Sequence, residues 1–435
     1  MSQIQAATPS SPPLVATGGR GFPWSSLALL LGIAGLAVAG FGLYQGVTEG
    51  QSRPVISWLL GFSFWFSILM GMLFMVLLSH VFDAGWSVVI RRQLEHFLAG
   101  FPILALIFLP LLAVPFLDVP NPGVLWKWMN PDYVIPPNIT VGSDAFFLHK
   151  EPYLSIPFFV GRVIFYFVVF IVVAGLLRRV SFRLDRDGDP RHVRQARVVS
   201  AVGIFACGVL GTFAAFDWFM TLEYHWFSTI FGVWFFAASM RAAIAVTIIV
   251  CAILAVRGHL RGIYNSAHSY DLGNMALAFT VFWAYISFSQ YFLIYQANIP
   301  EVTFWYNIRE FDPGGGLNTW WWVSMFLIFA HFLFPFLYLL WYRNKIVPAR
   351  IVFIACWILF FHVIDLYWNI VPGKQFTLEN VLYYNVRQFS VTLYDLAMIV
   401  GVGGLCLWAA LRSMGKTEPI PIRDPRIEES IHHHE

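Results

Sequence analysis

Leu272 to Ala297 reads LGNMALAFTVFWAYISFSQYFLIYQA, 26 residues without a formally charged side chain. As a helix rising about 1.5 Å per residue it spans roughly 39 Å, more than the ~30 Å hydrocarbon core of a bilayer. The stretch is therefore a membrane span. At about 100° per residue, Asn274, Tyr285, Ser289 and Gln296 fall on one stripe and Thr280, Ser287 and Tyr291 on nearly the opposite one. Unpaired polar groups are costly in hydrocarbon, so a helix polar on two sides is expected to be surrounded by other helices. Ser and Thr can instead bond back to their own carbonyls, but Tyr285, Gln290 and Gln296 cannot.

Working outward, the 435-residue chain is 58% hydrophobic, 18% aromatic and only 12% charged. Its mean hydropathy is +0.68, and both values belong to a polytopic membrane protein. The four cysteines, Cys207, Cys251, Cys356 and Cys406, each stand alone in an apolar run. They read as small packing residues, which argues against a disulfide framework, a zinc site or an iron–sulfur cluster.

Residues 1–25, rich in Pro, Ser, Gly and Ala, read as a mobile tail, because the apolar run after them is too long for a signal peptide. Ten spans are predicted at 26–46, 56–82, 98–118, 157–178, 198–221, 228–256, 272–297, 320–343, 348–371 and 390–412, with residues 413–435 as a closing tail. Tails and even-to-odd loops hold 19 of the 27 Lys and Arg residues, and the other loops 6. The positive-inside rule then places both termini in the cytoplasm. Arg162 and Arg241 lie inside spans. Trp126, Trp128, Trp226, Trp305 and Trp320 to Trp322 fall on the outer side, where indole rings suit a headgroup level or a docked partner.

Seven prolines between Val119 and Pro157 predict an irregular outer loop, and Phe304 to Asn318, with its Asp312-Pro-Gly-Gly-Gly turn, a second one. No Lys-Ser/Thr follows those glycines, so they are no phosphate cradle. Asp185-x-Asp187-x-Asp189 begins like a calcium loop, but Pro190 and Ala196 replace its Gly and closing Glu, leaving a solvated turn. His432, His433 and His434 could at most bind metal weakly, and no metal site is expected.

A charge at the bilayer centre costs about 2.5–3.5 kcal/mol on insertion scales, so intramembrane ionisable residues need a reason. Arg241, Tyr285, His331 and His362 lie roughly 20, 18, 17 and 14 Å from the outer ends of four consecutive spans, one layer near mid-depth. Asp365, Asp395 and Asp217 lie above them at roughly 9, 8 and 6 Å, with Glu223 and His225 at the rim. His362 and Asp365 share a helix face, as do His80 and Asp83 at the inner end of span two, and both pairs read His-Val-x-Asp. Such a ladder is what a proton path needs. Structural roles compete with it: Arg241 can pair with a carboxylate, and a lone histidine can bond a carbonyl. Between that layer and His80 the inner half offers only neutral groups such as Thr247, Thr280 and Asn274, which suggests an outer half-path.

Two runs carry a resemblance. Asp217 to Gly232 reads DWFMTLEYHWFSTIFG; Asp271 to Met275 reads DLGNM, followed by AFTVFWAYISFSQY and closed by Ala297-Asn-Ile-Pro-Glu301. The chain resembles the F subunit of alternative complex III, a bacterial quinol:cytochrome c oxidoreductase, within the NrfD / polysulfide-reductase-like membrane family. The resemblance implies an all-α membrane fold with two four-helix bundles, spans two to five and six to nine, flanked by spans one and ten. It also implies a bacterial inner-membrane location and a scaffold and proton-handling role. Iron–sulfur clusters and c-type haems would reside in partner subunits, among them periplasmic ones. The paralogous C subunit would hold the main quinol site, which leaves quinol or lipid contact here open. No nucleic-acid partner is expected. Two other readings are a b-type di-haem anchor using His331 and His362, and a secondary transporter with a midplane site. Against the transporter, spans six to nine have no central Gly/Pro break except Pro335.

Overall fold

The computed structural model describes residues 24–135, 139–376 and 384–433; residues 1–23 of the first tail and His434 lie outside them, and residues 24–25 already belong to the first helix. The chain is an all-α membrane protein whose ten helices long and apolar enough to span are Trp24–Thr48, Ser52–Val81, Gly85–Phe116, Ile156–Asp187, Arg191–Glu223, Phe231–Val256, Ser266–Ala297, Thr319–Leu340, Pro348–Ile370 and Leu393–Met414. These are spans one to ten. Ten crossings put Trp24 and Met414 on one side, here called the terminal face, opposite a far face.

Spans two to five pack on one another, and spans six to nine close a second ring. Span two joins them: 94% of its most apolar window is buried, so lipid hardly reaches it. It crosses span six where Gly71 meets Ser239, and a Cβ on Gly71 would come within 2.1 Å of the Ser239 carbonyl oxygen. Spans one and ten pair through small residues in the same manner. A Cβ on Gly35 would lie 2.6 Å from the Ala397 carbonyl oxygen, and one on Gly404 2.5 Å from the Gly32 nitrogen. In lipid, where burying apolar surface gains little, backbone approach of this kind is what associates helices.

Span three begins far earlier than its hydropathy suggests, because Val88–Phe97 is helical although it carries charge. Arg91, Arg92, Gln93, Glu95 and His96 are all buried. They survive burial by pairing: Arg91 with Asp424 at 2.6 Å, Arg92 with Asp185 at 2.5 Å, and Ser181 donating to Glu95 at 2.6 Å. Asp185 is thus helical and ion-paired, and the expected solvated turn begins only at the helix end, where Asp187 is exposed and Gly188 is left-handed. The closing tail is docked: Asp424, held well below the usual carboxylate range by Arg426 and Arg91 despite its burial, anchors it to span three.

Span seven corrects the expectation that other helices surround it. It is peripheral: Leu272, Gly273, Ala276, Thr280, Trp283 and Gln290 face inward, while Tyr285, Phe288 and Phe292 are exposed. Three of its polar groups are satisfied locally, while the Ser287 hydroxyl is buried without a partner among the described residues. Thr280 bonds its own Ala276 carbonyl at 2.7 Å, Lys345 reaches Asn274 at 2.7 Å, and Gln290 accepts from Ser228 at 2.9 Å and donates to Tyr306 at 3.1 Å. The expected tryptophan belt is mostly core. Trp126, Trp128, Trp226, Trp305 and Trp320 are buried, with Trp226 and Trp305 stacked at 4.3 Å, and of these far-face rings Trp322 is the exposed one.

On the far face the proline-rich loop folds over the first bundle and contains the short helix Ala145–Lys150, capped by Asp144. Burial would raise Asp144, but hydrogen bonds from Tyr224, His225 and the Phe146 N–H outweigh it and lower its pKa. Its contribution is therefore complete above about pH 4, the unfolded value, and is lost as pH falls through the lowered one. Hydrogen exchange should show Ala145–Lys150 opening on acidification in that window; protection unchanged down to acid unfolding would contradict the cap. Gly71→Ala is expected to destabilise the protein by about 1–3 kcal/mol in detergent unfolding, since both helix backbones must move apart.

Candidate functional site

The site starts from a missing hydrogen. Pro335 in span eight has no N–H, so no backbone donor from that position reaches the carbonyls four or five residues back, His331 and Ala330. Leu327–Leu333 accordingly runs as a π-helical stretch within the span. Both carbonyls are taken up by side chains. Trp357 of span nine donates its indole N–H to Ala330 O at 2.7 Å, and Arg241 of span six donates Nη2 to His331 O. Arg241 is 1% exposed, and its Nε and Nη1 are buried without a partner. Its guanidinium also lies 5.6 Å from the centre of the Trp283 ring.

The freed segment aims His331 at Asp365. The two meet at 3.9 Å through His331 Nε2, and His331 stands edge-on to Trp283 at 4.6 Å. Asp365 is 1% exposed and accepts from neutral donors, Trp283 Nε1 at 3.0 Å and Asn369 Nδ2 at 3.2 Å. No Lys or Arg lies within ion-pairing distance of it among the described residues. His362, one turn along span nine, contacts Ser67 of span two at 2.8 Å through Nε2, linking the two bundles. Beside this cluster lies a cavity of about 700 Å³ between spans seven and eight, with Asp365 and Asn369 among its lining and Tyr285, Phe288, Tyr291 and Trp321 along its walls. A carboxyl group so placed can take up and release a proton without breaking an ion pair.

The other expected residues separate from this site. Tyr285 is not in the buried layer: it is 63% exposed, on the outward side of span seven along the cavity wall. Asp217 belongs to a closed pair, with Arg162 donating Nε at 2.8 Å and Nη2 at 2.9 Å and Tyr166 at 2.7 Å. Asp395 caps span ten through Thr392 and pairs with Arg53 at 2.5 Å. Glu223 pairs with Lys127 at 2.9 Å, and His225 contacts Asp144 at 2.5 Å. His80 and Asp83 do not share a helix face, because span two ends at Val81 and Asp83 turns left-handed with φ of 54°. His80 is buried with both ring nitrogens unpartnered, whereas Asp83 points outward to Arg197 at 2.7 Å and to Arg426.

Sequence reasoning missed Trp283, Asn369, Ser67 and Trp357 as members of the site. Only Asn369 carried a signal, standing four residues after Asp365 on the same helix face. Compared with known proteins, the sequence matches no protein-family model and no curated protein.

The two buried aspartates should respond differently to loss of charge. Asp217→Asn strands Arg162 and is expected to cost about 3–5 kcal/mol in unfolding experiments. Asp365→Asn, which leaves no paired cation behind, should shift stability far less; equal losses would show that Asp365 also serves as a structural counter-ion.

Proposed function

We propose that the chain is a membrane subunit of a respiratory quinol:electron-acceptor oxidoreductase of the alternative complex III type, in which it supplies scaffold and an Asp365–His331 proton-exchange site. In this reading it sits in a bacterial inner membrane with both termini cytoplasmic. Electrons move through iron–sulfur clusters and c-type haems of partner subunits, and quinol is oxidised chiefly at the paralogous C subunit. The DWFMTLEYHWFSTIFG and DLGNM runs support the assignment, and so does the Lys/Arg bias. The observation that carries the role is a buried carboxyl held by neutral donors beside a membrane-level cavity. Arg241, with two unpartnered N–H groups, is a place for ordered water to gather, which a proton relay requires. The aromatic walls would admit a flat amphiphile such as a quinol head against Asp365.

The competing readings fit the geometry less well. A haem between His331 and His362 would need a ring nitrogen of each, and His362 Nε2 is taken by Ser67 at 2.8 Å. Transporters build midplane sites on unwound helices. Span eight keeps a hydrogen-bonded π segment instead.

Reconstituted into vesicles as the whole complex, an Asp365→Asn variant is expected to assemble normally. Its proton-coupled quinol oxidation should fall about 10²-fold, the lower range for loss of an acid–base group. Full rate with full coupling would remove Asp365 from the path.

A further inference from the structure

On the terminal face, the ends of spans four and ten enclose a second cavity, of about 650 Å³. Four cationic side chains line it: Arg178 and Arg186 of span four, Arg412 in the last turn of span ten, and Lys416 just beyond. Asp185 and Glu418 also line it. Asp185 is committed to Arg92 at 2.5 Å, so the pocket keeps a clear positive excess.

Arg178 is the inner anchor. Its Nη2 donates to Ser413 Oγ at 3.0 Å, and Ser413 in turn contacts His96 Nδ1 at 2.9 Å. Its Nε is buried and bonds nothing. A guanidinium held in place in the wall of a roomy cation-lined cavity is a site for an anionic oxygen. Arg178 lies 22 residues along span four from Ile156, or about 33 Å, just past a ~30 Å hydrocarbon core. Arg412 lies over the Trp408 ring at 5.4 Å, a pairing suited to headgroup depth. One turn toward the membrane centre on the Arg178 face is Gly175, where a Cβ would meet nothing within 4 Å. With the exposed Val172 and Leu176 it leaves an open apolar strip on span four below the pocket.

We propose that this pocket binds the phosphate headgroup of an anionic phospholipid, with Arg178, Arg412 and Lys416 on the phosphate oxygens and an acyl chain passing over Gly175. A soluble phosphate would use the same cations but would have no need of the apolar strip.

The test uses delipidated full-length protein in detergent, titrated with cardiolipin, phosphatidylglycerol, phosphatidylcholine and inorganic phosphate, and read by native mass spectrometry and thermal shift. Cardiolipin and phosphatidylglycerol should bind in preference to phosphatidylcholine. Arg412→Gln with Lys416→Gln, both outside every ion pair described, should fold normally and weaken anionic-lipid binding about fivefold per charge removed. Arg178→Gln should weaken it further. Arg183→Gln with Arg194→Gln, charges outside the pocket, should leave it unchanged. Equal binding of phosphatidylcholine, an unaffected Arg412/Lys416 double variant, an equal loss in the Arg183/Arg194 control, or displacement of the lipid by inorganic phosphate would each overturn the proposal.

Discussion

One absent N–H organises the second bundle. Because Pro335 cannot donate, the His331 and Ala330 carbonyls must find partners from outside their own helix, or remain unsatisfied inside a membrane protein at a cost of several kcal/mol each. Arg241 and Trp357 fill those vacancies, so three helices are pinned to one another at one level. The same local widening sets the direction of the His331 ring and brings it to Asp365. Arg241 is thereby accounted for without a carboxylate: a backbone dipole and an indole face receive it.

Buried charge in this protein takes two forms, and the contrast separates structure from chemistry. Arg162–Asp217, Arg53–Asp395 and the Arg91/Arg92/Glu95/Asp424 network are closed, each carboxylate answered by a guanidinium. Such pairs fix where helices meet and where the chain's last segment docks; a proton added to any of them would break an ion pair. Asp365 and Arg241 are the open form. Both are buried and bonded to neutral groups.

The membrane class and the ten spans were readable in the sequence, because an uncharged apolar run of about twenty residues is long enough to cross a bilayer and too greasy to face water. Depth counting also picked out Arg241, His331 and His362 as one layer, since rise per residue is fixed; it set Asp365 above them, whereas the structure brings Asp365 to His331. It failed for Tyr285, which sits at the right height on the wrong side: depth says nothing about rotation. Asp83 failed because helical spacing was carried past the point where span two ends. Span three was misjudged because hydropathy treats Arg91 and Arg92 as solvent-facing, and the partners that permit their burial, Asp424 and Asp185, lie far away in sequence. Trp283 and Trp357 looked like ordinary apolar residues; only the fold shows where an indole N–H points.

What keeps the open site in place is at the far end of span nine. Arg309 is buried between Trp305 and Trp368, 3.4 and 4.9 Å from their ring centres, and donates to the carbonyls of Trp305, Trp368 and Asn369. Arg387 donates to Val371 O at 2.6 Å. Burial draws the two guanidinium groups down to about 9 and about 10, still cationic at neutral pH. Carbonyls at a helix C-terminus have no helical donors and carry its negative dipole end, so cations there are doubly favoured. The clamp grips residue 369, one turn from Asp365, and fixes the height of the carboxyl relative to His331. Asp365 can then remain without an ion pair of its own, because the ordering that such a pair would supply comes from two arginines outside the membrane layer.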